Sequence, residues 1–415
     1  MPRTIARQTT PEAGGSGSWA PRPPLARGAR RRRLLGLAPG LLLATAIAPA
    51  PARVVAGAPL AQADRLDAAL AAAVAGGRPA VALQVDRGGA PLVARAVGVA
   101  SAERQTPVQA TDRFRIYSIA KTFTATVVLQ LVDEGVIALE DPVRRWLDDP
   151  VVARIPDTDR ITLRQLLTHT SGIYDYQDET DSPFYQDAFF GPDAVWGRVW
   201  TPRELLAYAD GARHAPYFAP GQGVAYANTN YVLLGLIVEA ATGRSYAAEL
   251  HDRILAPLAL EHTSLEEGAA LAAEVVDGYQ PLEGQLVNVS AVNLTWAWAA
   301  GGVVSTAVDL ARFARAAFGG ELLSPASHEA MFTFRPGGWG GLELGMGVYR
   351  VPSPNGELIG MDGGGAGGNS IMMRLPEADV TVVALANAPG EGGLDRLRDE
   401  AFAWALAQPA GRPAA

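Results

Sequence analysis

The chain has 415 residues, enough to bury a large core, and its 48% hydrophobic and 19% charged content is that of a folded protein. Its net charge of −8 is uneven: Arg3, Arg7, Arg22, Arg27, Arg30, Arg31, Arg32 and Arg33 stand against Glu12 alone in the first 52 residues, so the remainder is more acidic than the whole. That balance argues against a nucleic-acid partner, and the absence of cysteine excludes disulfides, a thiol nucleophile and zinc thiolates.

In chain order, the arginine run at 30–33 precedes an apolar stretch, 34–52, with small-residue cleavage sites near Ala50, Ala52 or Ala58. This reads as an export signal and linker over 1–58, on either the general or the twin-arginine route. Left uncleaved, the same stretch would be a membrane anchor, although Pro39 and Gly40 weaken a spanning helix. The segment LAQADRLDAALAAAVAGG predicts a helix ending at Gly76-Gly77, and AVALQVDRGGAPLVARAVGVA two strands around the turn DRGG. SIAKTFTATVVLQLVDEG predicts a helix stopped by Gly135, with Val127, Val128 and Leu131 on an apolar face. Strand patterns return after residue 346, in GVYRVPSPNGELIGMDG and SIMMRLPEADVTVVALANA, and GLDRLRDEAFAWALA closes the chain as an amphipathic helix.

Strands at both ends and helices between predict an α/β chain of the α+β type: an antiparallel sheet flanked by helices, built from both chain ends, with an inserted, mainly helical domain. The expected boundaries are 59–408 for the whole unit, with 59–125 and 346–408 forming the α/β part, 126–345 the helical part and 409–415 a tail.

Lys121 is the only lysine, every other basic side chain being Arg. An ammonium can lose its proton when buried and a guanidinium cannot, so a lone lysine invites a chemical explanation. Ser118 lies three residues earlier, on the same helical face and in the first turn, where backbone N–H groups lack helical partners and can face an oxyanion. A buried Lys121 could take the Ser118 hydroxyl proton. The bland alternative is a serine cap followed by a solvated lysine. Tyr226 and Asn228, in YANTNYVLLGLIVEAATG, are two apart and share a side of an extended segment that leads into a helix. A phenol near an ammonium can act as a base or shuttle a proton.

Together these stretches resemble the penicillin-recognising serine hydrolases: class C β-lactamases, the related D-alanyl-D-alanine carboxypeptidase, and similar esterases and D-aminopeptidases. The resemblance runs from about residue 62 to 408 and includes Leu166-Leu167-Thr168-His169-Thr170-Ser171-Gly172 and AAGGVVSTAVDLARFARA at 299–316. It implies an acyl-enzyme at Ser118, with Lys121 and Tyr226 as the base system, Asn228 contacting the substrate amide or Lys121, and the N–H groups of Ser118 and Gly364 as oxyanion donors. It gives the loop of His169 a structural role. His214, His251, His262 and His328 form no metal-spaced pair, and neither metal nor cofactor is expected.

The third motif of that family, Lys or His, then a small polar residue, then Gly, falls on Met361, Asp362 and Gly363. These positions are expected at the substrate. A thioether and a carboxylate in place of polar or cationic groups would disfavour a substrate carboxylate and favour an amine. The expected function is an exported serine hydrolase acting on an ester or amide. The alternative is a weakened penicillin-binding-like protein that binds cell-wall peptide or a small ligand without efficient turnover. A small-molecule or peptide substrate is the expected partner, with membrane contact only through an uncleaved N-terminal segment. The aromatic, acidic stretch 174–200 reads as a cleft wall or a decorated surface loop, and Trp296 and Trp298 as cleft lining or core.

Overall fold

The computed structural model describes residues 62–409, apart from 179–181, 192–193, 269–273, 338–341 and 391–392. The expected export signal, 1–58, lies outside the described residues. Among those described, no helix is long and apolar enough to cross a membrane.

The principal elements in chain order are α1 (Gln62–Ala75), β1 (Ala80–Arg87), β2 (Ala90–Ser101), α2 (Ala120–Asp133), α3 (Asn228–Thr242), α4 (Ala307–Phe318), β3 (Tyr349–Ser353), β4 (Gly356–Gly365), β5 (Gly368–Leu375), β6 (Val380–Ala386) and α5 (Asp395–Ala407). Nine strands among the described residues form one antiparallel sheet, in the order Thr106–Pro107, β2, β1, β6, β5, β4, β3, Glu343–Leu344, Arg335–Pro336. The two chain ends meet at its centre, where β1 pairs with β6 in the register Val81↔Ala386 through Arg87↔Val380. Every residue of β6 is buried, as a strand covered on both faces requires. α1 and α5 pack together over the sheet, and α4 packs on β1, β5 and β6. The chain thus has the antiparallel sheet, flanking helices and inserted helical subdomain that its sequence predicts. α4 and the edge strands at 335–336 and 343–344 fall within the stretch expected to be mainly helical, yet they pack with the sheet. The reason is amphipathicity: Leu310, Phe313, Ala314 and Ala317 give α4 an apolar stripe of helical period.

α2 is buried from Ala120 to Leu129, all the way round rather than along one face. Its threonines account for this. Thr122 donates to the Gly347 carbonyl at 2.7 Å and Thr124 to the Ala299 carbonyl at 2.6 Å, so the polar side needs no water. Phe123 stacks on Phe313 of α4 with ring centroids 3.6 Å apart, and a fully buried side chain of this size stabilises by about 1.5–3 kcal/mol. α3 approaches the short helix Trp298–Gly301 so closely at Gly235 that a Cβ there would sit 2.6 Å from the Trp298 ring. This packing fixes the backbone of Ala300 beside α2.

Candidate active site

Ser118 lies in a single 3-10 turn, Tyr117–Ile119, that leads directly into α2. The turn is forced by its first residue. Tyr117 has φ +48, in the left-handed region that a bulky residue seldom adopts. It is held there by its own buried ring, whose hydroxyl donates to the Ala366 carbonyl at 2.7 Å. The ring lies where glycines leave room: a Cβ on Gly365 or Gly368 would come within 2.5 or 2.9 Å of it. Gly363 serves the serine in the same way, since a Cβ there would clash with the Ile116 carbonyl and stand 2.8 Å from the Ser118 nitrogen. The glycine run at the β4–β5 turn therefore lets the strand lie against the serine turn. Gly364, next along the strand, is exposed to the cleft.

Lys121 is fully buried in the first turn of α2. Its Nζ lies 3.1 Å from Ser118 Oγ, 2.7 Å from Asn228 Oδ1 and 2.7 Å from the Ala300 carbonyl oxygen. Burial pulls its pKa down to about 7, against the opposing pull of Asp175 and Asp362. Tyr226 donates its hydroxyl to Ser118 Oγ at 2.6 Å. Burial, partly offset by that hydrogen bond, pushes the Tyr226 phenol well above its usual range, and Asp175 and Asp362 push the same way. Of the two groups within reach of the serine, Lys121 is the one that gives up its proton near neutral pH.

His169, to whose loop the family resemblance gives a structural role, packs behind the phenol, with ring centroids 4.4 Å apart. Its Nδ1 accepts from the Ala227 backbone N–H at 3.1 Å, which places the ring proton on Nε2. Burial, then the charge of Lys121, holds its pKa well below the usual histidine value. The side chain is a neutral prop for the segment carrying Tyr226.

Asp175 was not singled out in the sequence. It stands in the irregular stretch after the short helix Leu163–Leu167, and its Oδ1 and Oδ2 accept from the backbone and side-chain N–H groups of Asn228, both at 3.0 Å. An acidic residue in a loop of unknown path carries no signal of its own, and no spacing rule links positions 53 residues apart.

The cleft encloses about 490 Å³. Ser118, Tyr226, Asn228 and the β4 stretch Met361–Gly365 line it together with Asp175, Gln177, Asp178, Tyr185 and Trp296. Part of the 174–200 stretch is therefore a wall of the cleft, while Phe184 and Trp200 sit in an aromatic cluster behind it. Trp296 lines the cleft, and Trp298 packs on Tyr246 in the core with ring centroids 5.5 Å apart. Met361 is 5% exposed and forms part of both core and wall. Asp362 alternates with it and faces out. Although solvent reaches it, surrounding protein atoms desolvate the Asp362 carboxyl and, with the nearby charge of Asp395, raise it to about 6. Asp395, paired with Arg398 at 2.6 Å, also lines the cleft, and no Arg or Lys does among the described residues.

The fold is that of serine hydrolases that act on esters or amides through an acyl-enzyme. The chain belongs to the Beta-lactamase family, whose sequence pattern matches residues 66–405. It is 29% identical over 319 residues to penicillin-binding protein 4* of Bacillus subtilis, a match spanning 72% of this chain and 66% of that protein. Among solved structures it resembles a D-stereospecific amidohydrolase from Streptomyces sp., at 34% identity and TM-score 0.72, over 82% of this chain and 98% of that one. It also resembles the D-amino acid amidase of Ochrobactrum anthropi SV3 in complex with L-phenylalanine amide, at 26% identity and TM-score 0.73, over 83% and 98%.

Proposed function

We propose that the chain hydrolyses amides, and the corresponding esters, of small substrates carrying a free amine, with Ser118 as nucleophile, Lys121 as general base and Tyr226 as proton relay. The observation that carries this is the set of partners around Lys121 Nζ. Two of the three, the Asn228 amide oxygen and the Ala300 carbonyl, are pure acceptors and occupy both protons of a neutral amine. The lone pair is left for the one partner that has a proton to give, the Ser118 hydroxyl at 3.1 Å. Ser118 Oγ then attacks the carbonyl as its proton passes to Lys121, and the oxyanion is received by the N–H groups of Ser118 and Gly364. Collapse breaks the carbonyl–nitrogen or carbonyl–oxygen bond. Tyr226 donates its proton to the leaving group and is recharged by the Lys121 ammonium. Water, deprotonated by the same pair, hydrolyses the acyl-enzyme.

The substrate class rests on charge. Asp175, Asp178, Asp362 and Asp395 line a cleft with no basic lining residue among those described, which favours an ammonium and opposes a carboxylate. Asn228 and the third-motif positions Met361, Asp362 and Gly363 form the wall a substrate would meet. The similar Streptomyces and Ochrobactrum structures, a D-stereospecific amidohydrolase and a D-amino acid amidase, point to the same class. Export remains the reading of residues 1–58, and the N-terminal sequence of the mature chain tests it.

The test is a fluorophosphonate label mapped by peptide mass, followed by specificity constants for D-phenylalanine amide and its N-acetyl derivative. We expect the label on Ser118 and preference for the free amine. A label elsewhere removes the nucleophile assignment, and equal rates on the two amides remove the substrate class.

A further inference from the structure

We propose that Asp175 is a positioning residue for this site: its carboxylate fixes the Asn228 amide with its oxygen toward Lys121, and so decides which protons the lysine has left to share with Ser118. The inference rests on the role proposed for Lys121.

α3 begins without a cap of its own, because Ala227 has no side chain able to accept from its first turn. Asp175 supplies the cap from elsewhere in the chain, accepting from the Asn228 backbone N–H at 3.0 Å. Its other oxygen accepts from Asn228 Nδ2, also at 3.0 Å. The carboxylate is itself fixed by a hydrogen bond from the Gln177 backbone N–H at 3.2 Å and is only 8% exposed.

An asparagine amide can be turned over, exchanging oxygen and nitrogen, and its neighbours decide which way it stands. Here a carboxylate, which only accepts, faces one end and Lys121 the other. The observed orientation gives a donor to the carboxylate and an acceptor to the lysine at 2.7 Å. Turned over, the amide oxygen would face the carboxylate and the NH2 would donate to the lysine lone pair that Ser118 needs. Ionised, above the pKa of about 6 to which burial raises it, Asp175 forbids that state. A neutral asparagine at 175 would permit it, since its own NH2 could satisfy a turned Asn228 oxygen.

The charge acts as well. The groups facing Lys121 are Asp175 from the 171–177 stretch, Asp362 from β4, the rings of Tyr226 and Tyr231 at 4.7 and 5.6 Å from Nζ, and the neutral His169 behind Tyr226. Of these, Asp175 is the first of the two carboxylates that oppose the desolvation of the ammonium. Removing its charge therefore moves the lysine titration to lower pH.

The experiment follows the rate of fluorophosphonate labelling of Ser118 against pH by intact mass, in wild type, Asp175→Asn, Asn228→Ala and the double variant. Wild type should label with a rate that rises through about pH 7. In Asp175→Asn the rate should fall by about 10–100-fold, the range expected when a buried hydrogen-bonding partner is lost. Its midpoint should move down by about one pH unit, as loss of a nearby opposite charge requires. Asn228→Ala should lose a similar factor, and the double variant should be within about twofold of the slower single variant, as expected of residues acting in series. An Asp175→Asn midpoint that stays in place, or losses that multiply in the double variant, would overturn the inference, because a purely structural cap predicts both. If Asp175→Asn does not fold by circular dichroism, Asn228→Ala decides, since it keeps the backbone cap: labelling within about twofold of wild type overturns the inference. Failure of wild type to label at Ser118 refutes the Lys121 reading itself, and with it this one.

Discussion

The Nζ of Lys121 lies 2.7 Å from the Ala300 carbonyl oxygen, a contact between α2 and a short helix 179 residues further along that exists because Gly235 lets α3 press that helix toward the serine. With Asn228 Oδ1 it uses up the protons of a neutral amine.

An arginine at 121 cannot accept the serine proton and is too large for a fully buried place. Lys121→Arg and Lys121→Ala should both lower the acylation rate by about 10²–10⁴-fold, the usual worth of a general base. Stopped-flow acylation by a p-nitrophenyl ester measures this. Wild-type rates in the arginine variant would show that the lysine is not the base.

The pH profile follows from the sign of the lysine shift. Its folded pKa is lowered to about 7, so the neutral base is scarce below that pH and dominant above it. The specificity constant for a neutral ester should rise with pH through about 7 and then level. A specificity constant that goes on rising into the alkaline range, with no midpoint near that of Lys121, would mean that Tyr226, whose phenol burial pushes well above its usual range, supplies the base.

Tyr226→Phe keeps the ring against His169 and removes only the hydroxyl that reaches Ser118 Oγ. A relay matters most for a leaving group that must be protonated to depart. Amide turnover should fall by about 10²-fold or more, while a p-nitrophenyl ester, whose leaving group departs as an anion, should be affected much less. Equal losses on both substrates would place Tyr226 before the leaving-group step.

Asp362 should govern discrimination against carboxylates. Like charges at ~4 Å and an effective dielectric near 20 repel by about 4 kcal/mol before solvent relaxes, and ~1.4 kcal/mol is tenfold in rate. Because the carboxyl titrates at about 6, the ratio of specificity constants for nitrocefin and a p-nitrophenyl ester should rise as pH falls through that value. In the double variant Met361→His, Asp362→Thr it should be raised at neutral pH. A ratio unchanged by pH and by the variant would show that this strand does not select substrate.

Gly363→Ala should silence labelling of Ser118, since the new Cβ would stand 2.8 Å from the Ser118 nitrogen and meet the Ile116 carbonyl, both backbone atoms unable to step aside cheaply. Labelling at the wild-type rate, with an unchanged melting temperature, would contradict the close packing of β4 on the serine turn.

The sequence by itself determined what depends on near neighbours. The hairpin around Gly88-Gly89, the helix ended near Gly135 and the one-turn spacing of Ser118 and Lys121 follow from turn chemistry and helical period, which act over a few residues. The gathering of strands at both chain ends was legible from their placement. Tertiary structure alone decided the rest, because it depends on which distant segments close-pack. Burial of Lys121 on every side made it the group that deprotonates, and the same burial raised Tyr226, a division that two residue types could not announce. Asp175 reached Asn228 only through packing of the loop between α2 and α3 against the start of α3, and the Ala300 carbonyl reached Lys121 only through packing of α3 on the short helix Trp298–Gly301. A backbone carbonyl has no sequence signature at all, since every residue has one, and only the fold aims it.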